Sequence, residues 1–114
     1  MDAARAELRN VLLDARSLIA LPDNNFDWSS WHDAAVALRE IDGLVAALER
    51  GRVPSRLTMS VLFAPTGPIQ EVSLSSGWAE EFLELAARFD AAAESFFSQR
   101  LWWRRLLNQL PRRT

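Results

Sequence analysis

The only histidine of this chain, His32, is followed by Asp33, a pair that also occurs in metal-dependent phosphohydrolases. A metal shell of that kind takes further histidines, because several ligands must converge on one ion. The chain has no other histidine and no cysteine. A histidine can also activate a serine, but the Gly-x-Ser-x-Gly turn is missing. We interpret His32 as an exposed polar residue in the first turn of a helix, and predict no catalytic residue and no metal site.

Two other patterns that could carry chemistry are better explained as structure. Residues 64–68 read Ala-Pro-Thr-Gly-Pro, yet a phosphate-binding loop needs the spacing Gly-x-x-x-x-Gly-Lys-Ser/Thr, and the chain has no lysine. Glu80 and Glu84, or Glu81 and Glu84, share a helix face, as a general acid and base would in a cleft. We interpret the loop as a turn and the carboxylates as solvated surface charge. No cofactor and no small-molecule substrate is predicted.

Charge is unevenly distributed along the chain. Residues 100–114 hold five arginines and no acid, whereas residues 1–99 hold eight arginines and all fifteen acids. Arginine and tryptophan together can bind nucleic acid or an anionic membrane, but the acidic remainder would repel phosphates. They are also the enriched anchors of protein interfaces. We therefore predict contact with protein, in the chain's own core or with a partner. The candidate interaction residues are Arg100, Leu101, Trp102, Trp103, Arg104 and Arg105.

The composition is that of one ordinary globular domain. The 114 residues are 49% hydrophobic and 25% charged, which suits a single folded core over 1–114. Without cysteine there are no disulfides. The first residues lack a basic segment followed by an apolar run, and no run approaches the roughly 18 apolar residues that span a bilayer. We expect a cytoplasmic protein, and the plentiful arginine and alanine without lysine suggest a GC-rich bacterium.

Residues 1–54 carry the spacing of two helices. Apolar residues recur every three or four positions from Ala3 to Ala20, and again from Trp31 to Arg50. Pro22 ends the first helix, and Gly51 ends the second at a position that favours a left-handed residue. Because the connector is short, the two helices should form an antiparallel pair.

Residues 55–76 show a period of two instead. Leu57, Met59, Val61 and Phe63 would point to one face, and a second extended segment runs from Ile69 to Leu74. The turn formers of residues 64–68 separate them. We predict a β-hairpin whose apolar face lies on the helices, because a lone hairpin is only marginally stable.

Residues 77–110 return to helical spacing. A stripe of apolar residues begins at Trp78, and an unbroken helix to Leu110 would be about 50 Å long, far longer than a compact chain of this size is wide. Either the helix bends near Ser98–Arg100, which we favour, or its end projects and pairs with a second subunit. In both cases the segment after Leu101 is apolar on more than one face.

Part of the chain resembles known proteins. Residues 62–71, followed by Ser76-Gly77-Trp78 and residues 81–86, are similar to segments of small uncharacterised bacterial proteins. In size and acidic body the chain also resembles immunity proteins that neutralise bacterial toxins. The second resemblance implies tight binding of another protein, and neither implies a catalytic residue.

These observations predict an α+β domain: an antiparallel helical pair, a β-hairpin packed on it, and a long or broken C-terminal helix. The expected function is non-enzymatic protein binding, of the immunity or inhibitor type. The alternative is a structural or regulatory subunit that self-associates as a homodimer.

Overall fold

The computed structural model describes residues 1–109, except the side chains of Trp102 and Trp103. This part of the chain holds five α-helices and no strand. They are α1 (Ala3–Ile19), α2 (Ala34–Glu49), α3 (Arg56–Leu62), α4 (Pro68–Ser76) and α5 (Ala79–Asn108). The prediction of an α+β fold is therefore wrong, and the architecture is an all-helical bundle.

Helix α1 confirms the first predicted helix. The Asp2 carboxylate accepts a hydrogen bond from the backbone N–H of Arg5 at 2.8 Å, which caps the first turn. One face of the helix is buried in the core. Its members include Leu8, Val11, Leu12, Ala15 and Ile19.

Helix α2 begins three residues later than the predicted start at Trp31. Asp33 provides the N-cap, because its side chain accepts from the N–H of Val36 at 3.0 Å. Trp31 lies before the helix but is still buried, and its indole N–H donates to Glu40 at 2.7 Å. Gly51 follows the helix at φ 76°, which confirms the predicted left-handed end.

The predicted antiparallel pairing of α1 and α2 is confirmed. Arg5, in the first turn of α1, donates to the carbonyl of Leu48 in the last turn of α2 at 3.0 Å. Arg16, in the last turn of α1, pairs with Asp42 in the middle of α2. Contacts at both ends of α1 therefore fix its direction against α2.

The predicted first strand of the hairpin is instead α3. Ser55 caps it by accepting from the N–H of Thr58 at 3.2 Å. Met59, Leu62 and Phe63 are buried, a helical spacing of three and four, whereas Leu57 and Val61 are exposed. A strand would have placed Leu57, Met59, Val61 and Phe63 on one side, so the period of two was the wrong interpretation.

The predicted second strand is α4. Pro68 occupies its first turn, where the missing N–H costs nothing, and Gly77 ends it in the left-handed region at φ 87°. Residues 64–68 do form a turn, but it joins two helices. Gly67 is required there, because a Cβ atom at this position would clash with the carbonyl oxygen of Val61.

The core lies around α1, which packs between α2 and α5, while α4 closes one side against α1 and α5. Phe63, just after α3, stacks on Phe89 of α5 with ring centroids 4.4 Å apart. Arg88 of α5 reaches Glu7 at 3.2 Å and Asp14 at 2.7 Å on α1. These ion pairs therefore hold α5 against α1 on the side of α5 that carries its apolar stripe.

Helix α5 continues through Ser98–Arg100, where the bend was predicted. Its 30 residues make it about 45 Å long, and the molecule measures 61 × 23 × 22 Å. The helix is continuous from Ala79 to Asn108, and the side chain of Ser98 donates to that of Glu94 one turn earlier at 2.8 Å. The bend is therefore wrong, and the alternative, a projecting end, describes the helix. Leu110 lies outside the described residues.

Candidate functional site

The end of α5 projects beyond the core. Phe96 is buried and Phe97 partly buried, but every later side chain that the structure describes, from Ser98 to Gln109, is exposed. Leu101 is 53% exposed and Leu107 is 61% exposed. Leucines in such positions remain in contact with water in the single chain, and burying them would be favourable.

A groove of about 580 Å³ lies where this projecting end meets the connection between α2 and α3. Its described lining combines apolar side chains with three arginines and contains no acid. The lining residues are Val53, Arg56, Phe97, Arg100, Leu101, Arg104 and Leu107. The groove can therefore take an apolar group that carries negative charge at its edge.

The wall of the groove nearest α2 is held by Arg5. Its guanidinium donates to the carbonyl of Leu48, in the last turn of α2, at 3.0 Å and to that of Arg52, in the connection after α2, at 2.6 Å. The same guanidinium lies 5.1 Å from the centroid of the Phe96 ring. These contacts fix the connection that carries Val53 against the helix that carries Arg100.

Arg56 forms the opposite edge. It lies 5.1 Å from the centroid of Phe97 and 3.3 Å from Glu94. The pKa of the Glu94 carboxyl is lowered, first by the hydrogen bond from Ser98 and then by Arg56. Glu94 therefore stays ionised beside the groove and offsets part of the charge of Arg56.

The structure brings together three of the six predicted interaction residues. Arg100, Leu101 and Arg104 line the groove, while Arg105 is exposed on the same helix outside the lining. Trp102 and Trp103 belong to α5, but their side chains lie outside the described part, as do Arg112 and Arg113.

Sequence reasoning missed Val53, Arg56 and Phe97 as part of this surface. The basic character of Arg56 was visible, but its position depends on α3, which was predicted as a strand. Phe97 had a visible signal, since it is an aromatic residue directly after Phe96, the last member of the apolar stripe of the last helix. No sequence pattern indicates that Val53 would lie against that helix.

The other residues considered for chemistry are dispersed. His32 is exposed, and Asp33 beside it is engaged as the cap of α2. Glu80, Glu81 and Glu84 are exposed on α5. Within residues 1–109, no group of three or more potential metal ligands comes together.

No described helix combines the length and apolar character needed to cross a bilayer. Comparison with protein-family models, with curated proteins and with solved structures finds no match for this chain.

Proposed function

We propose that this chain is a non-enzymatic protein-binding module whose binding surface is the projecting end of α5. The observation that carries this proposal is the exposure of Leu101 and Leu107 beside Arg100, Arg104 and Arg105 on a helix that extends past its own core. Burial of leucines supplies affinity, and arginines add charge-assisted hydrogen bonds that orient the partner. A rigid helix presents both without a large loss of conformational entropy.

The partner surface that fits this end is apolar and acidic. Arg56, Arg100 and Arg104 line the groove without an acid among its described lining residues, so carboxylates of a partner can meet guanidinium groups there. Phosphates of nucleic acid would meet the same arginines, but the body of the protein, with fifteen acids in residues 1–99, opposes their approach. A protein partner is therefore favoured.

An immunity or inhibitor role is one form of this function. The acidic body would steer a basic partner surface, such as a nucleic-acid-cutting toxin presents, while the end of α5 anchors the complex. Self-association is the second candidate, and it is supported by the charge distribution within α5.

Site-specific photocrosslinking in the native host tests the proposal. A photoreactive residue replaces Leu107 in one variant and Leu57, which is 74% exposed on α3, in the control. We expect a protein adduct from position 107, absent at position 57 and lost when Arg104→Glu and Arg105→Glu are added. Fractionation of the same cells tests the proposed cytoplasmic location. A lack of any protein adduct at position 107, or adducts indifferent to charge reversal, would contradict the proposal.

A further inference from the structure

Helix α5 is divided into two halves of opposite charge. From Ala79 to Glu94 it holds five acids and one arginine, and from Ser95 to Asn108 it holds three arginines and no acid. The one arginine of the first half, Arg88, is engaged with Glu7 and Asp14 of α1. The first half therefore presents negative charge outward, and the second half presents positive charge.

Each half also carries an exposed leucine on the same face. Leu83 is 62% exposed in the acidic half, and Leu101 is 53% exposed in the basic half. They are eighteen residues apart, which is five turns of an α-helix and about 27 Å. The two leucines therefore lie in line along the helix.

On the side of α5 that carries the two leucines, the exposed residues between them are small or acidic. To one side of the line that joins the leucines, small side chains allow a second backbone to approach: Ala87, Ala91, Ser95 and Ser98. Asp90 and Glu94 lie almost on the line, and Glu94 is paired with Arg56 at 3.3 Å. All six of these α5 residues are exposed, so a second helix can reach this strip from one leucine to the other.

We infer that a second copy of this chain binds this strip, with its own α5 antiparallel to the first. In that arrangement Leu83 of each copy meets Leu101 of the other. Glu80, just before Leu83, then lies level with Arg104 of the other copy and close to Arg105, and Glu84 lies level with Arg100. A parallel pairing would set every acid and every arginine of α5 beside its own counterpart. The antiparallel pairing sets only Asp90 opposite a like charge, Glu94 of the other copy, so charge favours the antiparallel one.

The two-fold axis of this dimer meets α5 at the level of residue 92, midway between Leu83 and Leu101, on the exposed side of the helix. An isologous interface of this kind uses the same surface on both copies and closes at two subunits. It rests on the proposed function, since it names the protein that the projecting end of α5 binds. It also gives a binding role to the acidic half of α5, which does not line the groove.

Cysteine crosslinking tests the register directly, because the chain has no cysteine of its own. Leu83→Cys and Leu101→Cys are made as separate proteins, mixed, and oxidised mildly. Both positions are exposed, so neither substitution disturbs the core. We expect a disulfide between the two different variants, and little between two copies of the same variant, since a bridge needs Cβ atoms about 3.5–4.5 Å apart. Leu57→Cys mixed with Leu101→Cys is the matched control and should give no bridge.

Charge reversal tests the electrostatic part. Glu80→Arg with Glu84→Arg makes both halves basic, and Arg104→Glu with Arg105→Glu makes both halves acidic. Sedimentation of each variant alone should show a dimer dissociation constant raised by more than about tenfold. An equimolar mixture of the two should recover the dimer. Asp23→Arg with Glu49→Arg, the same change of charge at exposed positions outside α5, should leave the dimer intact.

A full-length chain that sediments as a monomer at all concentrations would overturn the dimer. So would efficient bridging of Leu83→Cys to itself, or a failure of the two charge-reversed variants to associate when mixed. These results are distinct from a failure of the proposed function. Leu107 lies about 120° around α5 from the line of the two leucines. A protein adduct at position 107 from a chain that sediments as a monomer therefore leaves the binding module standing, and the dimer falls.

Discussion

The indole N–H of Trp78 donates to the side-chain oxygen of Asn24 at 2.9 Å, which joins the start of α5 to the segment after α1. The amide nitrogen of Asn24 also donates to the carbonyls of Leu18 at 2.7 Å and Ile19 at 2.9 Å. The side chain of Asn24 therefore forms hydrogen bonds both with the end of α1 and with the indole of Trp78, which is 95% buried. The direction of α5, and with it the position of its projecting end, depends on this contact.

We predict that Asn24→Ala lowers the free energy of unfolding by about 1–3 kcal/mol, because the buried indole N–H of Trp78 loses its acceptor and the carbonyls of Leu18 and Ile19 lose the hydrogen bonds from the Asn24 amide. Urea unfolding followed by circular dichroism measures the change. Asp23→Ala, at the exposed neighbouring position, is the control and should alter stability by less than about 0.5 kcal/mol. Equal effects of the two substitutions would show that the contact contributes nothing.

The all-helical fold predicts different contributions to stability from Leu57 and Phe63, which a strand would place on the same face. Phe63 is buried against Phe89, whereas Leu57 is exposed. Phe63→Ala should therefore cost about 3–5 kcal/mol, and Leu57→Ala less than about 0.5 kcal/mol. Urea unfolding of both variants checks this. Similar losses from both would instead favour a strand with Leu57 and Phe63 on one buried face.

This segment also shows what the sequence could and could not predict. Helices α1 and α2 are long enough for their apolar spacing to repeat several times, so their existence and antiparallel pairing follow from the pattern. Helix α3 has only seven residues, and over that length alternation and helical spacing share members such as Met59. Leu57 and Val61 are exposed because of the way α3 packs against the other helices. That packing is a tertiary property, which seven residues of sequence do not reveal.

Local signals for α3 and α4 were nevertheless present. Ser55 before α3, Pro68 at the start of α4 and Gly77 after it are ordinary helix-boundary residues. For the end of α5, by contrast, the sequence left two alternatives, a bend or a projecting end. Polar residues at Ser98–Arg100 are compatible with a bend and equally with a helix that leaves its core.

Two glycines should respond oppositely to alanine. At Gly67 a Cβ atom would meet the carbonyl oxygen of Val61, so Gly67→Ala must displace the turn between α3 and α4 and should cost about 1–3 kcal/mol. At Gly43, inside α2, the added methyl meets nothing within 4 Å. Gly43→Ala should therefore stabilise the protein by about 0.5–1 kcal/mol. Thermal unfolding of both variants measures the signs, and a stabilising Gly67→Ala would contradict the turn.

The pairing of Arg16 with Asp42 predicts a dependence on acid pH. The side-chain hydrogen bond from Arg16 is the main cause that lowers the pKa of the Asp42 carboxyl below its ordinary value. A carboxyl whose pKa is lowered by folding stabilises the protein above its unfolded pKa, about 3.9. That stabilisation is lost as the pH falls through the lower, folded pKa.

Asp42→Asn should therefore be less stable than the parent protein at pH 7, and the difference should vanish in strong acid. The urea concentration at the midpoint of unfolding, measured for both proteins in steps from pH 7 to pH 2, reports this difference in stability. Asp23→Asn, exposed after α1, serves for comparison and should track the parent throughout. A difference between Asp42→Asn and the parent that stays constant down to pH 2 would assign the effect of Asp42→Asn to something other than the ion pair.

The projecting end of α5 should contribute to binding and not to folding. Leu101 and Leu107 are exposed, so Leu101→Ala and Leu107→Ala should each change the free energy of unfolding by less than about 0.5 kcal/mol. Phe96→Ala, about one turn before Leu101 and buried in the core, should cost about 3–5 kcal/mol. Leu101→Ala should also weaken crosslinking to the partner from position 107, because it removes apolar area that only the complex buries. If Leu107→Ala were as destabilising as Phe96→Ala, this end of the helix would belong to the core of its own chain, and the binding surface would have to lie elsewhere.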